Sequence, residues 1–160
     1  MLNIAVLCVG KLKESFYIAA VREYEKRLKG YCKLTLLELP EEKLPNAPSQ
    51  AQIDAALEKE AQAIFAKLPK RATLVALCIE GKELSSEQLA QKFQQWAISG
   101  ISAIALVIGS SYGLHPSVKG QAALRLSMSP MTFPHHLARV MLLEQVYRAF
   151  KINEGSLYHK

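Results

Sequence analysis

The sequence predicts an α/β fold: a single domain with a mostly parallel sheet and helices on both faces. Three observations carry that reading. Five short, nearly continuous apolar runs have the pattern of strands buried on both sides. Amphipathic or capped stretches between them have the pattern of helices. The two kinds alternate strictly, in the order βαβαβαβαβα. The chain has 160 residues, a length that suits one domain spanning residues 1–160.

Asn3 to Val9 (NIAVLCV) is the first apolar run, closed by Gly10. No basic stretch precedes it and no cleavage-like site follows, so the start reads as a strand and not as a leader. Glu14 to Leu28 reads as a helix with Phe16, Ala19, Ala20, Tyr24 and Leu28 on one side, ended by Gly30. Lys33 to Leu39 is the second strand. Pro40 stops it, and with Pro45 and Pro48 it marks residues 40–48 as an exposed loop. Ser49 is placed to cap a long helix, Gln50 to Leu68, which Pro69 stops. Thr73 to Ile79 is the third strand, and Glu80-Gly81-Lys82 reads as a turn. Ser85, with Gln88 three residues on, matches a capping box for a helix reaching Ser99. Ile104 to Ile108 is the fourth strand. Pro116 to Ala123 is a short helix, Leu124 to Met128 a fifth strand, and His135 to Ile152 a last long helix ahead of the tail Asn153 to Lys160.

Composition narrows the function classes. Half of the residues are hydrophobic, too many for a disordered chain. No apolar run approaches the roughly 18 to 20 residues of a membrane span, so no membrane association is expected. Cys8, Cys32 and Cys78 are odd in number and form no close pair, which suits buried thiols in the cytoplasm. The four histidines show no ligand spacing beside them, so no metal site is expected. The net charge is +6. The excess sits in the first and last forty residues, each with three more basic than acidic groups. If both ends meet on one face, that face attracts a polyanion; ordinary solubility explains the same number.

In an open parallel sheet, ligands bind beyond the carboxyl ends of the strands. Three such ends stand out: Leu77 to Gly81, the Gly109 to Leu114 loop, and Ser127 to Pro134. Gly109 directly after a strand permits a close approach of ligand, or simply a tight turn. The dinucleotide fingerprint, the phosphate-binding P-loop, the zinc-protease helix and the nucleophile elbow are all absent. Met128, Met131 and Phe133 are apolar residues in a stretch that Ser129, Pro130 and Pro134 keep from being helical. Such a loop suits a purine, its faces against side chains and its edges against backbone; a core-packed connection is the plainer alternative. Arg139 lies one turn into the last helix, within reach of a ligand phosphate. Glu144 and Arg148 are placed as an i,i+4 salt bridge. Tyr158, His159 and Lys160 offer an aromatic ring, an imidazole and a cation that together suit a base and its phosphate; a frayed terminus is the alternative.

Taken together, Ile108-Gly109, Gly113-Leu114, Met131 to His135, Arg139-Val140, Glu144 to Ala149 and Tyr158 to Lys160 resemble the ribosomal RNA large subunit methyltransferase H family (RlmH) of the SPOUT class. Val9 to Lys13 and Glu23 to Leu28 fit as well, so the resemblance covers essentially the whole chain. It implies a C-terminal trefoil knot, which rules of chain connection would never propose. It implies a homodimer with the cofactor site completed near the subunit interface. It also implies methyl transfer from S-adenosyl-L-methionine, leaving S-adenosyl-L-homocysteine, to N3 of a pseudouridine in 23S rRNA of the assembled ribosome. The cofactor residues carried over are Leu77, Gly109 and the run Met128, Ser129, Pro130, Met131, Thr132 and Phe133. The family usually has a second glycine where this chain has Ser110, whose side chain either crowds the cofactor or points away.

The chemistry needs no metal, because a sulfonium methyl is already activated. An imide nitrogen must lose its proton to attack, and His159 is the candidate base by residue type. Arg139 is placed with it as a catalytic candidate. Arg139, Arg148, Lys151 and Lys160 are the expected phosphate contacts, and Tyr158 the expected stacking partner. Two other readings are a non-catalytic RNA- or nucleotide-binding domain of the same fold, with chemistry lost through Ser110, and a phosphate-binding α/β enzyme of another kind.

Overall fold

A computed structural model of the chain describes residues 1–159. Ten elements follow one another: β1 (Leu2–Val9), α1 (Ser15–Leu28), β2 (Cys32–Leu39), α2 (Gln50–Lys67), β3 (Thr73–Glu83), α3 (Ser86–Ile98), β4 (Ala103–Ile108), α4 (Pro116–Gln121), β5 (Leu124–Ser127) and α5 (His135–Asn153). The five strands form one sheet in the order β2-β1-β4-β3-β5, and every pairing is parallel. The carboxyl ends of all five strands therefore share one rim.

Alternation along the strands divides the core in two. Ile4, Val6 and Cys8 of β1 and Ile104 and Leu106 of β4 face one side, where α1, α3 and α5 cover them through Val21, Phe93, Leu142 and Val146. Ala5, Leu7 and Val9, with Ala105 and Val107, face the other side against Ala61 and Ile64 of α2 and Val118 of α4. Helix α5 packs against both α1 and α3. Two helix starts form as the sequence predicts. Ser49 accepts from the Gln52 N–H while the Gln52 side chain accepts from the Ser49 N–H, and Ser85 and Gln88 repeat the arrangement. Each satisfies two amides that the helix itself leaves unpaired.

One element differs. Glu80-Gly81-Lys82, expected as a turn, lies inside β3. The strand bulges there, so that Leu126 of β5 pairs with Leu77 and again with Lys82. A Cβ on Gly81 would lie 2.8 Å from the Arg125 carbonyl carbon. The glycine is needed for backbone to pass backbone, not to reverse the chain. Among the described residues no helix is long and apolar enough to cross a membrane.

Candidate active site

A cavity of about 750 Å³ opens on the rim beyond β3, β4 and β5, within the size range of small-ligand sites. The β5–α5 loop, the β4–α4 loop and the end of β3 enclose it. Of the residues expected at a cofactor, Leu77, Gly109, Met128 and Ser129 line it, as do Met131, Thr132 and Phe133. Pro130 does not. Hydroxyls shape the β5–α5 loop: Ser127 Oγ donates to the Ser129 carbonyl at 3.2 Å, and Ser129 Oγ accepts from the Met131 N–H at 3.0 Å. These bonds turn the chain tightly enough to leave Met131 73% exposed at the mouth. Ile79 and Tyr112, also exposed, share that mouth.

Gly109 is required for a reason internal to its loop. The chain folds back so that Gly113 N–H donates to the Ser110 carbonyl at 2.9 Å. A Cβ at 109 would then sit 2.3 Å from the Gly113 carbonyl oxygen. Gly113 itself has φ +85°, the left-handed region that glycine enters freely. Ser110 neither crowds the cavity with its hydroxyl nor offers it to solvent. It is 8% exposed, and its Oγ donates to Glu60 of α2 at 3.0 Å.

Three polar groups at the cavity were given no role from the sequence. Glu80 and Lys119 form an ion pair there, and the Lys119 ammonium holds the Glu80 carboxyl below the usual range. His135 lines the cavity, and its Nε2 is enclosed without a hydrogen-bond partner. Burial lowers its pKa, with the neighbouring His136 adding to the effect. The signal was present: a histidine directly after Pro134, at the start of a helix that follows the cavity loop.

The remaining expected residues lie elsewhere. Arg139 is 3% exposed. Its Nη1 donates to Glu38 at 2.9 Å and its Nη2 to the Gly10 carbonyl at 3.2 Å, so it clamps the loop after β1 to the end of β2. Arg148 donates through Nε and Nη2 to Glu144, at 2.9 and 2.6 Å. Lys151 is paired with Glu154 and donates to Tyr31 Oη. Tyr158 donates to Glu144 and packs edge-on against Tyr147, with the Arg148 guanidinium over its ring. His159 Nδ1 is 3.2 Å from Arg148 Nη1, and its Nε2 is 2.7 Å from Glu87 of α3. A guanidinium only donates, so Nδ1 accepts and Nε2 carries the proton toward Glu87. Docked in this way, His159 has no free lone pair and stands outside the cavity lining. Lys160 lies outside the described residues. Of these residues only His159 reaches α3, while Arg139 lies under the loop after β1 and Lys151 points to Tyr31; none of Arg139, Arg148, Lys151, Tyr158 and His159 lines the cavity.

The family model described as "Predicted SPOUT methyltransferase" matches residues 2–159. The fold is similar to that of a probable methyltransferase from Bordetella pertussis Tohama I. That likeness has a TM-score of 0.59 and 15% identity, covering 93% of this chain and 95% of that one. It is also similar to a probable methylase family protein from Haemophilus influenzae Rd KW20, with a TM-score of 0.55 and 14% identity over 99% of this chain and 71% of the other. Identities this low speak for the fold alone, whereas the family match spans nearly every residue. The chain belongs to the SPOUT methyltransferase family, whose methyl donor is S-adenosylmethionine.

Proposed function

We propose that this protein methylates N3 of a pseudouridine in 23S rRNA, at the site called 1915 in the usual rRNA numbering, acting on the assembled ribosome as a cytoplasmic homodimer. The observation that carries the reading is the rim cavity, lined by the loops that the family resemblance assigns to the cofactor. The residues present fit S-adenosylmethionine. Leu77, Leu126, Met128 and Phe133 give apolar walls for a purine. The cofactor, when bound, supplies a methyl group on a positively charged sulfur.

The chain's own residues have to orient and to manage one proton. Alignment of the attacking nitrogen is a positioning effect that the shaped loops provide. Removal of the imide proton needs a base. For His159 to serve, it must leave Glu87 and Arg148, which frees Nδ1; a homodimer whose site is completed near the subunit interface gives the tail a place to go. The trefoil knot belongs to this same reading. The binding-module alternative rested on Ser110, and the hydrogen bond to Glu60 gives that hydroxyl another occupation.

The test is methyl transfer from labelled S-adenosylmethionine to ribosomes that lack the modification, with the product nucleoside identified by mass spectrometry. N3-methylpseudouridine on intact ribosomes is the expected product. His159→Ala should slow transfer and leave cofactor affinity near wild type. Saturable cofactor binding without transfer to any ribosomal particle would return the protein to the binding-module class.

A further inference from the structure

Glu60 is a carboxylate with an unusual position. It lies on α2, 4% exposed, inside the layer that packs against Leu7 and Val107. Its Oε1 accepts from Ser110 Oγ at 3.0 Å, and its Oε2 accepts from the Glu42 N–H at 3.0 Å. Neither donor is charged, so neither contact supplies a counter-ion. Burial raises its pKa, and Glu41 and Glu42 add to the effect. A buried carboxylate held by neutral donors is costly to keep. An alanine at this place would fold with less penalty unless the two contacts matter.

What they join is specific. Ser110 follows Gly109 in the loop that lines the cavity, and it contributes to the cavity wall itself. Glu42 lies in the segment between β2 and α2, beyond the outermost strand on that side of the rim. One side chain thus ties the cavity loop to the β2 exit loop across the ends of β1 and β4. A glycine at 110 would have no hydroxyl to make the tie.

We propose that Glu60 is a positioning residue for the cofactor loop: through Ser110 it fixes residues 109–113 in the shape that receives S-adenosylmethionine, and through Glu42 it makes the β2–α2 loop respond to occupancy of the cavity. The inference rests on the cofactor reading above. Glutamine can replace the carboxylate in both contacts, since its carbonyl accepts from the Glu42 amide while its NH2 donates to the serine oxygen. Alanine can do neither.

The experiment is calorimetric titration of S-adenosylmethionine into the full chain and into Ser110→Ala, Glu60→Ala, Glu60→Gln and the Ser110→Ala/Glu60→Ala double variant. Amide exchange of residues 40–48 and 109–113 is followed in parallel, with and without cofactor. Loss of the hydrogen bond between Ser110 and Glu60, common to both, predicts about a tenfold weaker affinity for Ser110→Ala and Glu60→Ala. The double variant should be no weaker than the poorer single one, because both remove the same contact. Glu60→Gln should bind within about twofold of wild type. Cofactor should slow exchange at residues 40–48 in wild type and Glu60→Gln but not in Glu60→Ala. A merely structural role would lower the melting temperatures and leave affinity and this cofactor-dependent protection unchanged. Wild-type binding with unaltered affinity in both alanine variants overturns the positioning role alone. Absence of wild-type binding overturns the cofactor reading, and the inference with it.

Discussion

Arg139 carries a buried charge that is paired with Glu38 and held by the Gly10 carbonyl, while its Nε has no partner. Its residue type and its place near the cavity loop were legible in the sequence. Its partner was not, because Glu38 lies a hundred and one residues earlier in the chain. Arg139→Ala should destabilise the fold by about 2 kcal/mol, below the range for a fully enclosed pair because the Glu38 side chain is 39% exposed. Urea unfolding measures that loss. The salt slope of ribosome binding should stay at its wild-type value, and a shallower slope would show the guanidinium on a phosphate after all. His135 gives a pH effect of definite sign. Burial and His136 lower its pKa, Arg139 acts in the same direction, and Glu41 and Glu14 oppose them. The unfolded chain therefore binds the proton more readily. The stability that neutral His135 contributes is complete above its ordinary value of 6.5 and is lost as pH falls through it. The urea midpoint should hold down to about pH 6.5 and drop below it, and less so in His135→Gln; an equal drop in both would remove His135 as the cause.

At the scale of elements, what could be read was what is local. Ser49 with Gln52 and Ser85 with Gln88 announce their helices within four residues, and both capping boxes are present. The bulge in β3 is the opposite case. Glu80-Gly81-Lys82 has the composition of a turn, and only the approach of the Arg125 backbone makes it part of a strand. Nothing near Gly81 in sequence carries that information. Gly81→Ala should therefore cost about 2 kcal/mol, since backbone cannot yield as a side chain can. It should also weaken cofactor binding, because Leu77 to Glu80 form one wall of the cavity. Calorimetry and thermal unfolding of the one variant read both effects. An unchanged melting temperature would mean that β5 moves aside freely.

For the whole molecule, the layered α/β arrangement followed from periodicity, and the site loops followed from the general place of ligands at strand ends. The strand order and the docking of the tail did not, since both depend on contacts between distant segments. Tyr158 and His159 are anchored by Glu144, Arg148 and Glu87 from two different helices. Chiefly through the His159 contact, the Glu87 carboxyl is held down at about 2. A carboxylate lowered in this way contributes stability above its ordinary value of 4.5 and loses it as pH falls toward 2. The tail should stay docked through the neutral range and come free in acid. Glu87→Ala should bring that release to neutral pH, seen as faster amide exchange at residues 157–159; unchanged exchange would place the anchor at Glu144 and Arg148.

The position of β1 between β2 and β4 has a consequence for the chain as it is made. Asn3 pairs with Ala103 and Cys8 with Ile108, so β1 needs a neighbour that emerges about a hundred residues later. At about 5 to 20 residues per second, that is an interval on the order of 5 to 20 s. Through it, a strand apolar on both faces has one edge without its native partner, open to pairing with other nascent chains. Sheet closure over so long a loop is also intrinsically slow. Closure of the sheet waits for β4, and the cavity rim for β5 and the loop that follows it.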